Sequence, residues 1–481
     1  MSSLKSLAKE TLIYGLSYSL GRLINFLLVT VYLTRIFSSD KAFFSIYSEI
    51  YFFIALFLGV LTLRMETTFF RFASDEKHKS SIYPLASQMV FIASFVFIAL
   101  LYIFIQPIEN VLQYPALRSI IYMAAWIAVL DVLCSLPFSK LRYQKQAVRY
   151  AWIKLTGILL NVILVFVLLS TTNGDSSEKL HFVILANLIS SIIVFLFLLP
   201  EFKQIFTRAD WSKARLILNY AFPLILVTFS FIFIQYGSTS LLKYLLPGSI
   251  MENLDKSSQF NAAVRLAVIM NLFVTAFNYA AEPFFFRHAA AENSKNTFAK
   301  VSLFFVIGCC IIYLGTCLFI DLISILLDKN FRSELFLVNI LLLANIFAGI
   351  YSNFSSWYKL KDRNYMMALV SISGMVLMVV LNIIMIPYFG NRSAAYANLA
   401  CYIFISFMSY YQGQKNYPIP YPIFKMSAYL ISAVLIAWIL PVFYQSIEAG
   451  VYVKHLISFF IIMLYCSFVY YFEFRKKPIG N

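Results

Sequence analysis

Long apolar runs, separated by short polar connections, dominate the chain and predict membrane-spanning helices. Fourteen runs come close to the ~20 residues that a helix needs to cross a bilayer. Their approximate bounds are 10–36, 42–63, 82–105, 118–139, 150–170, 180–199, 215–237, 260–285, 298–320, 334–356, 365–388, 394–412, 424–445 and 452–472. No connection is long enough to fold alone, so we expect an all-α polytopic membrane protein whose function resides among its helices.

One predicted span combines an apolar sequence with a polar stripe. Residues 259–287 read QFNAAVRLAVIMNLFVTAFNYAAEPFFFR. Steps of three or four positions (265, 268, 271, 275, 278, 282) place five polar residues on one helical face: Arg265, Asn271, Thr275, Asn278 and Glu282. Lipid cannot satisfy such groups, so this face must contact protein or water. The stripe predicts the wall of a cavity, which in a many-helix membrane protein indicates transport.

The composition agrees with a membrane protein and narrows the chemistry. The 481 residues are 61% hydrophobic and 12% charged, whereas a soluble domain has about 25% charged residues. The net charge of +16 comes from basic residues in short connections, which favours membrane topology over a nucleic-acid partner. The six cysteines lie within apolar runs and the four histidines are scattered. We therefore expect no disulfide framework, metal site, cofactor or catalytic residue.

Positive charge is distributed unevenly between the two sides of the predicted membrane. If the N-terminus is cytoplasmic, the cytoplasmic segments hold 26 Lys and Arg residues and the opposite segments hold 10. Short loops that are rich in Lys and Arg remain in the cytoplasm. An even number of spans then returns the chain to its starting side. We expect both termini in the cytoplasm and no cleavable signal peptide.

A weak internal repeat indicates two equivalent halves. KLRYQK at 140–145 precedes an apolar helix with Asn161, and KLKDRN at 359–364 precedes one with Asn382. Parallel repeats of this kind occur in transporters. We expect a six-helix lobe at 1–214, a second at 215–412, and two additional helices with a cytoplasmic tail at 413–481.

A buried arginine is the strongest candidate for substrate binding. Arg22 lies near the middle of the first predicted span and shares a helical stripe with Asn25. A charge at this depth costs at least ~2.5–3.5 kcal/mol, so it requires a partner or an aqueous cavity. The planar guanidinium suits phosphate oxygens and favours an anion site. A structural pair with a carboxylate such as Glu49 is the alternative.

Three carboxylates in predicted spans are candidates for ion coupling. Glu49 is either a partner of Arg22 or a titrating group, because burial raises the pKa of a carboxylate and a nearby arginine lowers it. Asp131 has the same two interpretations. Glu282 either titrates or neutralises Arg287. Arg265 lies near the outer end of its span, where it either extends to the interface or lines the cavity.

Five stretches together carry a family resemblance. They are LAKETLIYGLSYSLGRLINFLLVTVYLTRIFS (7–38), METTFFRFAS (65–74), FNAAVRLAVIMNLFVTAFNYAAEPFFFRHA (260–289), NFSSWYKLKDRNYMMALVSISGMVLMVVLNIIMIP (353–387) and YYQGQKNYPIPYP (410–422). In order and spacing they resemble the polysaccharide and O-antigen repeat-unit flippases (Wzx-type) of the multidrug/oligosaccharidyl-lipid/polysaccharide (MOP) exporter superfamily. The chain departs from that family at Ser238 and Thr239, where an Asp-Arg pair is common, and at Arg265, where Lys is frequent.

The resemblance implies a fold, a substrate and a location. The fold is two six-helix bundles related by a pseudo-twofold axis, with two further C-terminal helices, in a bacterial inner membrane. The substrate is an undecaprenyl-diphosphate-linked oligosaccharide, moved from the cytoplasmic to the periplasmic leaflet by alternating access with proton or sodium coupling. Five cavity residues would bind its diphosphate: Arg22, Asn25, Arg265, Asn271 and Asn278.

The resemblance also implies partners and leaves alternatives. Partners are membrane lipids and the polysaccharide polymerase and glycosyltransferases of the same pathway, and the protein itself is expected to be a monomer. A drug/cation antiporter of the MATE type and a lipid II flippase are alternative transporters. A membrane glycan polymerase or ligase is a more distant alternative, because such enzymes typically carry a large outer loop and the outer loops here are short.

Overall fold

The computed structural model describes residues 20–73, 82–114, 117–203, 205, 207, 209–288, 294–448 and 450–475, with side chains except those of 279–280, 282–288 and 474–475. This part of the chain is helical nearly throughout and contains no strand. The prediction of an all-α protein is confirmed.

The helices follow one another with short connections. The first half contains α1 (residues 20–36, π-helical at Leu28–Leu33), α2 (Lys41–Leu61), α3 (Met65–Ala73), α4 (Ile82–Ile103), α5 (Ile105–Leu112), α6 (Arg118–Tyr143), α7 (Ala147–Thr171), α8 (Ser176–Phe202) and α9 (Ala214–Tyr236). The second half contains α10 (Ser238–Leu245), α11 (Ile250–His288), α12 (Ser294–Leu318), α13 (Phe336–Phe354), α14 (Ser356–Leu360), α15 (Asn364–Phe389), α16 (Asn391–Asn416), α17 (Ile423–Ser446) and α18 (Val451–Tyr470). Short helical turns at Trp211–Lys213, Ile320–Ile323, Ser324–Leu326, Lys329–Phe331 and Tyr471–Arg475 complete the described elements.

Twelve of the described helical segments are long and apolar enough to cross a membrane. Two of the fourteen predicted spans are not among them. The first span was predicted at 10–36, and its residues up to 19 lie outside the described part. The span predicted at 394–412 forms a long helix, α16, but this helix is more polar than the others. The polytopic membrane fold is therefore confirmed, with a span count close to the prediction.

The long helix α11 begins ten residues before its predicted start at 260. A capping box starts it, because the backbone N–H of Ser249 donates to the Glu252 carboxylate (3.0 Å) and the N–H of Glu252 donates to the Ser249 hydroxyl (3.4 Å). The helix has 39 residues. At ~1.5 Å per residue it is about 58 Å long, which exceeds the ~40–45 Å thickness of a bilayer with its headgroups. The helix is therefore longer than a bilayer crossing requires.

The two segments of the predicted repeat end their helices in the same way. Lys145 (φ 58°) and Asp362 (φ 51°) both adopt the left-handed conformation after a helix. In each case the following N–H bonds back five residues, from Gln146 to the Leu141 carbonyl and from Arg363 to the Tyr358 carbonyl. Many helices end in this motif, so the likeness agrees with a repeat while the repeat itself stays a prediction.

The described helices divide into two compact units. The first comprises residues 1–261 and 364–397, and the second comprises 262–363 and 398–481. The boundary falls inside α11, between Asn261 and Ala262. A compact unit groups helices that touch in one conformation, whereas a lobe is a set of helices that moves together. The lobes at 1–214 and 215–412 therefore stay a prediction.

Candidate functional site

One face of α2 carries the polar contacts of the candidate site. Lys41, Ser45 and Glu49 follow one another at intervals of four residues, which places them on one side of the helix. Most of their partners lie on α10 and α11, at the end of the spans that the sequence predicts to face the periplasm. Lys41 forms a partly exposed ion pair with Asp255 (3.1 Å).

Glu49 is fully buried and has three hydrogen-bond donors. Its relative exposure is 0%. The Tyr114 hydroxyl donates to Oε2 (2.7 Å), the Ser240 hydroxyl to Oε1 (2.8 Å), and the Lys243 ammonium to Oε2 (3.2 Å). The Lys243 side chain is also completely buried. We call Glu49, Tyr114, Ser240 and Lys243 the Glu49 cluster.

The ammonium of Lys243 is enclosed by further partners. It donates to the carbonyl of Leu112, and it lies 4.2 Å from the ring centre of Tyr114 and 4.9 Å from that of Tyr244. The amide of Asn253 bonds the Lys243 carbonyl at 3.0 Å and thereby anchors the end of α10 to α11. A buried ion pair is stable only when its remaining donors and acceptors are satisfied, and this pair meets that condition.

A second polar network lies one turn from Glu49. The Ser45 hydroxyl donates to the carbonyl of Leu254 (2.7 Å) and accepts from the Asn261 amide (3.1 Å). The side-chain oxygen Oδ1 of Asn261 in turn accepts from the Thr239 hydroxyl (2.8 Å), and the Ser257 hydroxyl lies 3.2 Å from that of Ser45. Together with the Glu49 cluster, these bonds fix α2 to α10 and α11.

The environment shifts the pKa of two residues in the Glu49 cluster, Tyr114 and Lys243. Both lie in connections between candidate spans. Burial, reinforced by the charge of Glu49, raises the pKa of Tyr114 well above its ordinary value. Its hydroxyl therefore keeps its proton and remains a donor at neutral pH. Burial lowers the pKa of Lys243, and the attraction of Glu49 opposes this shift. Removing Glu49 would therefore remove the attraction that opposes this shift.

Asp131 lies elsewhere in the first unit and has a different environment. It is partly exposed, and the Ser191 hydroxyl on α8 donates to its Oδ1 at 3.0 Å. Lys154 acts on it electrostatically, but among the described residues Asp131 makes no salt bridge. Nearby, the Asn187 amide donates to the Tyr51 hydroxyl (2.7 Å). Polar groups thus surround a carboxylate that is not neutralised by direct contact with a cation.

The predicted anion-binding residues of the first span lie on an exposed helix face. Arg22 and Asn25 are exposed on α1, while Gly21 and Phe26 are buried. A Cβ at Gly21 would lie 2.4 Å from Ile158 Cδ1, so the glycine permits close approach of α1 to α7. The packing turns Arg22 away from this contact.

The polar stripe of α11 is partly exposed along its length in the second unit. Arg265, Asn271 and Asn278 are of intermediate exposure. Residues next to the stripe in sequence, such as Leu266 and Met270, are completely buried. That this stripe lines a cavity stays a prediction. The side chain of Glu282 lies outside the described part of the structure.

The sequence left open a pair between Glu49 and Arg22, and the structure shows Lys243 in that position. The sequence did contain one sign of this partner, because Lys243 is the only charged residue between Leu216 and Met251. Tyr114 and Ser240 gave no signal, since they come from distant parts of the chain. Among the described residues, no group of His, Cys, Asp or Glu side chains could hold a metal ion.

Comparison with known proteins identifies the fold. No protein-family model matches the chain, and no curated protein matches its sequence. Lipid II flippase MurJ in an inward closed conformation is similar over 95% of this chain and 99% of its own, with 15% identity and a TM-score of 0.67. The chain shares the fold of this flippase.

Two MATE transporters have the same fold. An inward-facing MATE family transporter of the MOP superfamily is similar over 87% of this chain and 95% of its own, with 13% identity and a TM-score of 0.61. The Vibrio cholerae MATE transporter VcmN in its bent form is similar over 90% and 99%, with 16% identity and a TM-score of 0.58.

Proposed function

We propose that this protein is a flippase that moves an undecaprenyl-diphosphate-linked oligosaccharide from the cytoplasmic to the periplasmic leaflet of a bacterial inner membrane. The oligosaccharide is the repeat unit of an O-antigen, capsule or exopolysaccharide. The observation that carries the proposal is the shared fold with a lipid flippase over nearly the full length of both chains. The MATE transporters cover a smaller share of this chain.

Alternating access gives the Glu49 cluster its role in the proposal. By the predicted lobes, α2 belongs to the first lobe, whereas α10 and α11 belong to the second. The ion pair of Glu49 with Lys243 and the bonds of Ser45 to Asn261 and Leu254 therefore join two parts that must separate. We assign them to a lock at the periplasmic end that opens when the substrate is released outward.

The diphosphate is held by arginine and asparagine side chains. Arg22 with Asn25 forms the first contact, and Arg265 with Asn271 and Asn278 forms the second. A guanidinium offers two parallel charge-assisted bonds to phosphate oxygens. A proton or sodium ion drives the cycle, and Asp131 suits its site better than Glu49, because Glu49 already contacts a buried cation. Glu282 remains a further candidate.

The test is a deletion strain complemented with variants. Deletion should leave lipid-linked glycan on the cytoplasmic face, measured by labelling surface glycan and by extracting the lipid-linked precursor. Arg22→Ala should reduce export by about tenfold or more, since one hydrogen bond to a charged group contributes ~1.5–3 kcal/mol. Arg22→Lys keeps the positive charge but lacks the planar guanidinium with its two parallel donors, so it should recover only part of the export. Normal periplasmic glycan in the deletion strain would refute the proposal.

A lipid II flippase is the second candidate, favoured by the same structural neighbour. Both substrates carry a diphosphate on a polyprenyl chain, so the same arginines would serve. Depletion separates the two candidates. Arrest of growth with lipid II retained inside would assign the protein to cell-wall synthesis. Normal growth with loss of a surface polysaccharide would support the oligosaccharide flippase.

A further inference from the structure

A cavity of ≈ 500 Å³ lies in the first unit between α2, α4, α5 and α6. Apolar side chains line it, together with one tyrosine, Tyr114. Its volume falls within the ~300–1,000 Å³ of small-molecule sites. A water molecule needs two to four polar partners, so a cavity with this lining takes up apolar molecules in place of water.

The cavity has a buried floor and an exposed rim. On the floor, Ile50 is 4% and Ile121 is 8% exposed. At the rim, Leu100 is 48%, Phe104 is 51% and Val111 is 63% exposed. Exposed apolar side chains continue from the rim along α4, which is long and apolar enough to span the membrane. The mouth is therefore continuous with the lipid-facing surface and opens toward hydrocarbon.

The polar groups at the inner end of the cavity already have partners. The hydroxyl of Tyr114, whose ring lines the cavity, donates to Glu49 at 2.7 Å. The carbonyl of Leu112, another lining residue, accepts from Lys243. Among the described lining residues, these two polar groups are therefore already engaged. An occupant would instead touch the residues that hold the Glu49–Lys243 pair.

We propose that this cavity binds one hydrocarbon chain of a bilayer phospholipid, and that the bound chain keeps Tyr114 and Leu112 in contact with Glu49 and Lys243. The apolar rim and floor offer a chain of methylene groups close van der Waals contacts. The inference is independent of the proposed function, because it requires no transported substrate.

The charges near the cavity favour a phospholipid over the diphosphate-linked carrier. Lys243 is completely buried, and its ammonium is engaged by Glu49. Arg118, at the start of α6, is paired with Glu109 on α5 (Nε to Oε1, 2.7 Å). A diphosphate would need an available cation beside the chain-binding cavity, whereas a zwitterionic headgroup remains in the interface without one.

A cavity-filling substitution tests the site. Ala124 lines the cavity from α6, and Ala124→Phe places a ring inside it. Val96→Phe is the matched control, since Val96 is 47% exposed on α4 and does not line the cavity. After stepwise detergent delipidation, the phospholipid retained per protein is measured by mass spectrometry. We expect about tenfold less in Ala124→Phe and wild-type retention in Val96→Phe. Equal retention in all three proteins would overturn the proposal.

Wild-type protein provides a test that does not depend on the variant folding. The protein is reconstituted in vesicles of phosphatidylethanolamine and phosphatidylglycerol that contain a phospholipid with a photoreactive group on its acyl chain. Cross-links should concentrate on the floor and rim, at Ile50, Leu100, Phe104 and Ile121. Labelling spread evenly over the lipid-facing helices, or displaced by added polyprenyl phosphate, would overturn the proposal.

Discussion

Two carboxylates in the first unit, Glu49 and Asp131, are held in opposite ways. Glu49 is completely buried, accepts three hydrogen bonds and contacts a buried ammonium. Asp131 is partly exposed and accepts one hydroxyl bond, from Ser191. Among the described residues, only Glu49 of these two forms a salt bridge.

The difference distinguishes a carboxylate enclosed by donors and a cation from one with few direct contacts. A carboxylate enclosed by fixed donors and a cation changes its protonation only if that shell opens, so Glu49 suits a lock. A carboxylate that accepts a single hydroxyl bond and contacts no cation has fewer interactions to break when it gains or loses a proton. Asp131 therefore remains the proposed site of ion coupling.

The largest expected effect on stability comes from breaking the Glu49–Lys243 pair. Lys243→Met leaves Glu49 buried beside an apolar side chain and should lower the free energy of unfolding by about 3–5 kcal/mol. The double variant Glu49→Met, Lys243→Met should recover most of this loss, because it removes both charges. Unfolding can be followed with a thiol-reactive dye, since Cys134, Cys309, Cys310, Cys317 and Cys401 are buried.

An exposed ion pair on the same helix is the control. Asp255→Asn breaks the pair with Lys41, whose side chains are 44% and 26% exposed. Exposed pairs contribute only ~0.2–1 kcal/mol. An equal loss in Asp255→Asn and Lys243→Met would contradict the assignment of the buried pair. If the double variant is stable and exports glycan normally, the Glu49 cluster is structural and is not the lock.

A smaller effect is expected from removing one donor of the Glu49 cluster. Tyr114→Phe deletes the hydroxyl that bonds Glu49 and should lower the free energy of unfolding by about 1.5–3 kcal/mol. Because the pKa of Tyr114 is raised in the folded chain, its hydroxyl is protonated in both the folded and the unfolded chain when the pH is below the ordinary tyrosine pKa of about 10. Above that value the unfolded chain loses its proton first, so wild-type stability falls as pH rises.

The pH dependence gives this prediction a second measurement. Near neutral pH the loss in Tyr114→Phe should be constant, because neither state of the wild type titrates at Tyr114. Above the ordinary tyrosine pKa the difference from wild type should shrink. Tyr244→Phe is a matched control, since the ring of Tyr244 faces Lys243 but its hydroxyl bonds the carbonyl of Val111 (2.7 Å) instead of Glu49. If the loss of unfolding free energy in Tyr114→Phe grows as pH rises, the prediction is wrong.

The fold was predictable because lipid imposes a strong pattern on sequence. Apolar runs near the required length located α4, α12 and α15 within a few residues. The early start of α11 was missed, although Ser249 and Glu252 carry a readable capping signal. Short helices such as α5 and α10 were assigned to connections, since eight residues give too little periodicity to recognise.

The candidate site was predictable only in part. The α2 stripe of Lys41, Ser45 and Glu49 follows from helical spacing, and burial of Glu49 required a partner. The identity of that partner depends on helix packing, because Lys243 lies 194 positions from Glu49 in sequence. Tyr114, which also bonds Glu49, lies 65 positions from it in sequence. Neither separation leaves a local pattern, so only the packed helices bring the cluster together.

The smallest effect on stability is expected from substituting Asp131. The same substitution should have a large effect on export. Asp131→Asn keeps an acceptor for the Ser191 hydroxyl and should change the free energy of unfolding by no more than about 1 kcal/mol. Because asparagine cannot titrate, export should be lost if Asp131 carries the coupling ion. Ser191→Ala is the control, since it removes the hydrogen bond and leaves the charge. Export measured in the complemented deletion strain should then survive in Ser191→Ala and fail in Asp131→Asn. Full export in Asp131→Asn, with its usual response to a collapsed proton or sodium gradient, would place the coupling at another residue.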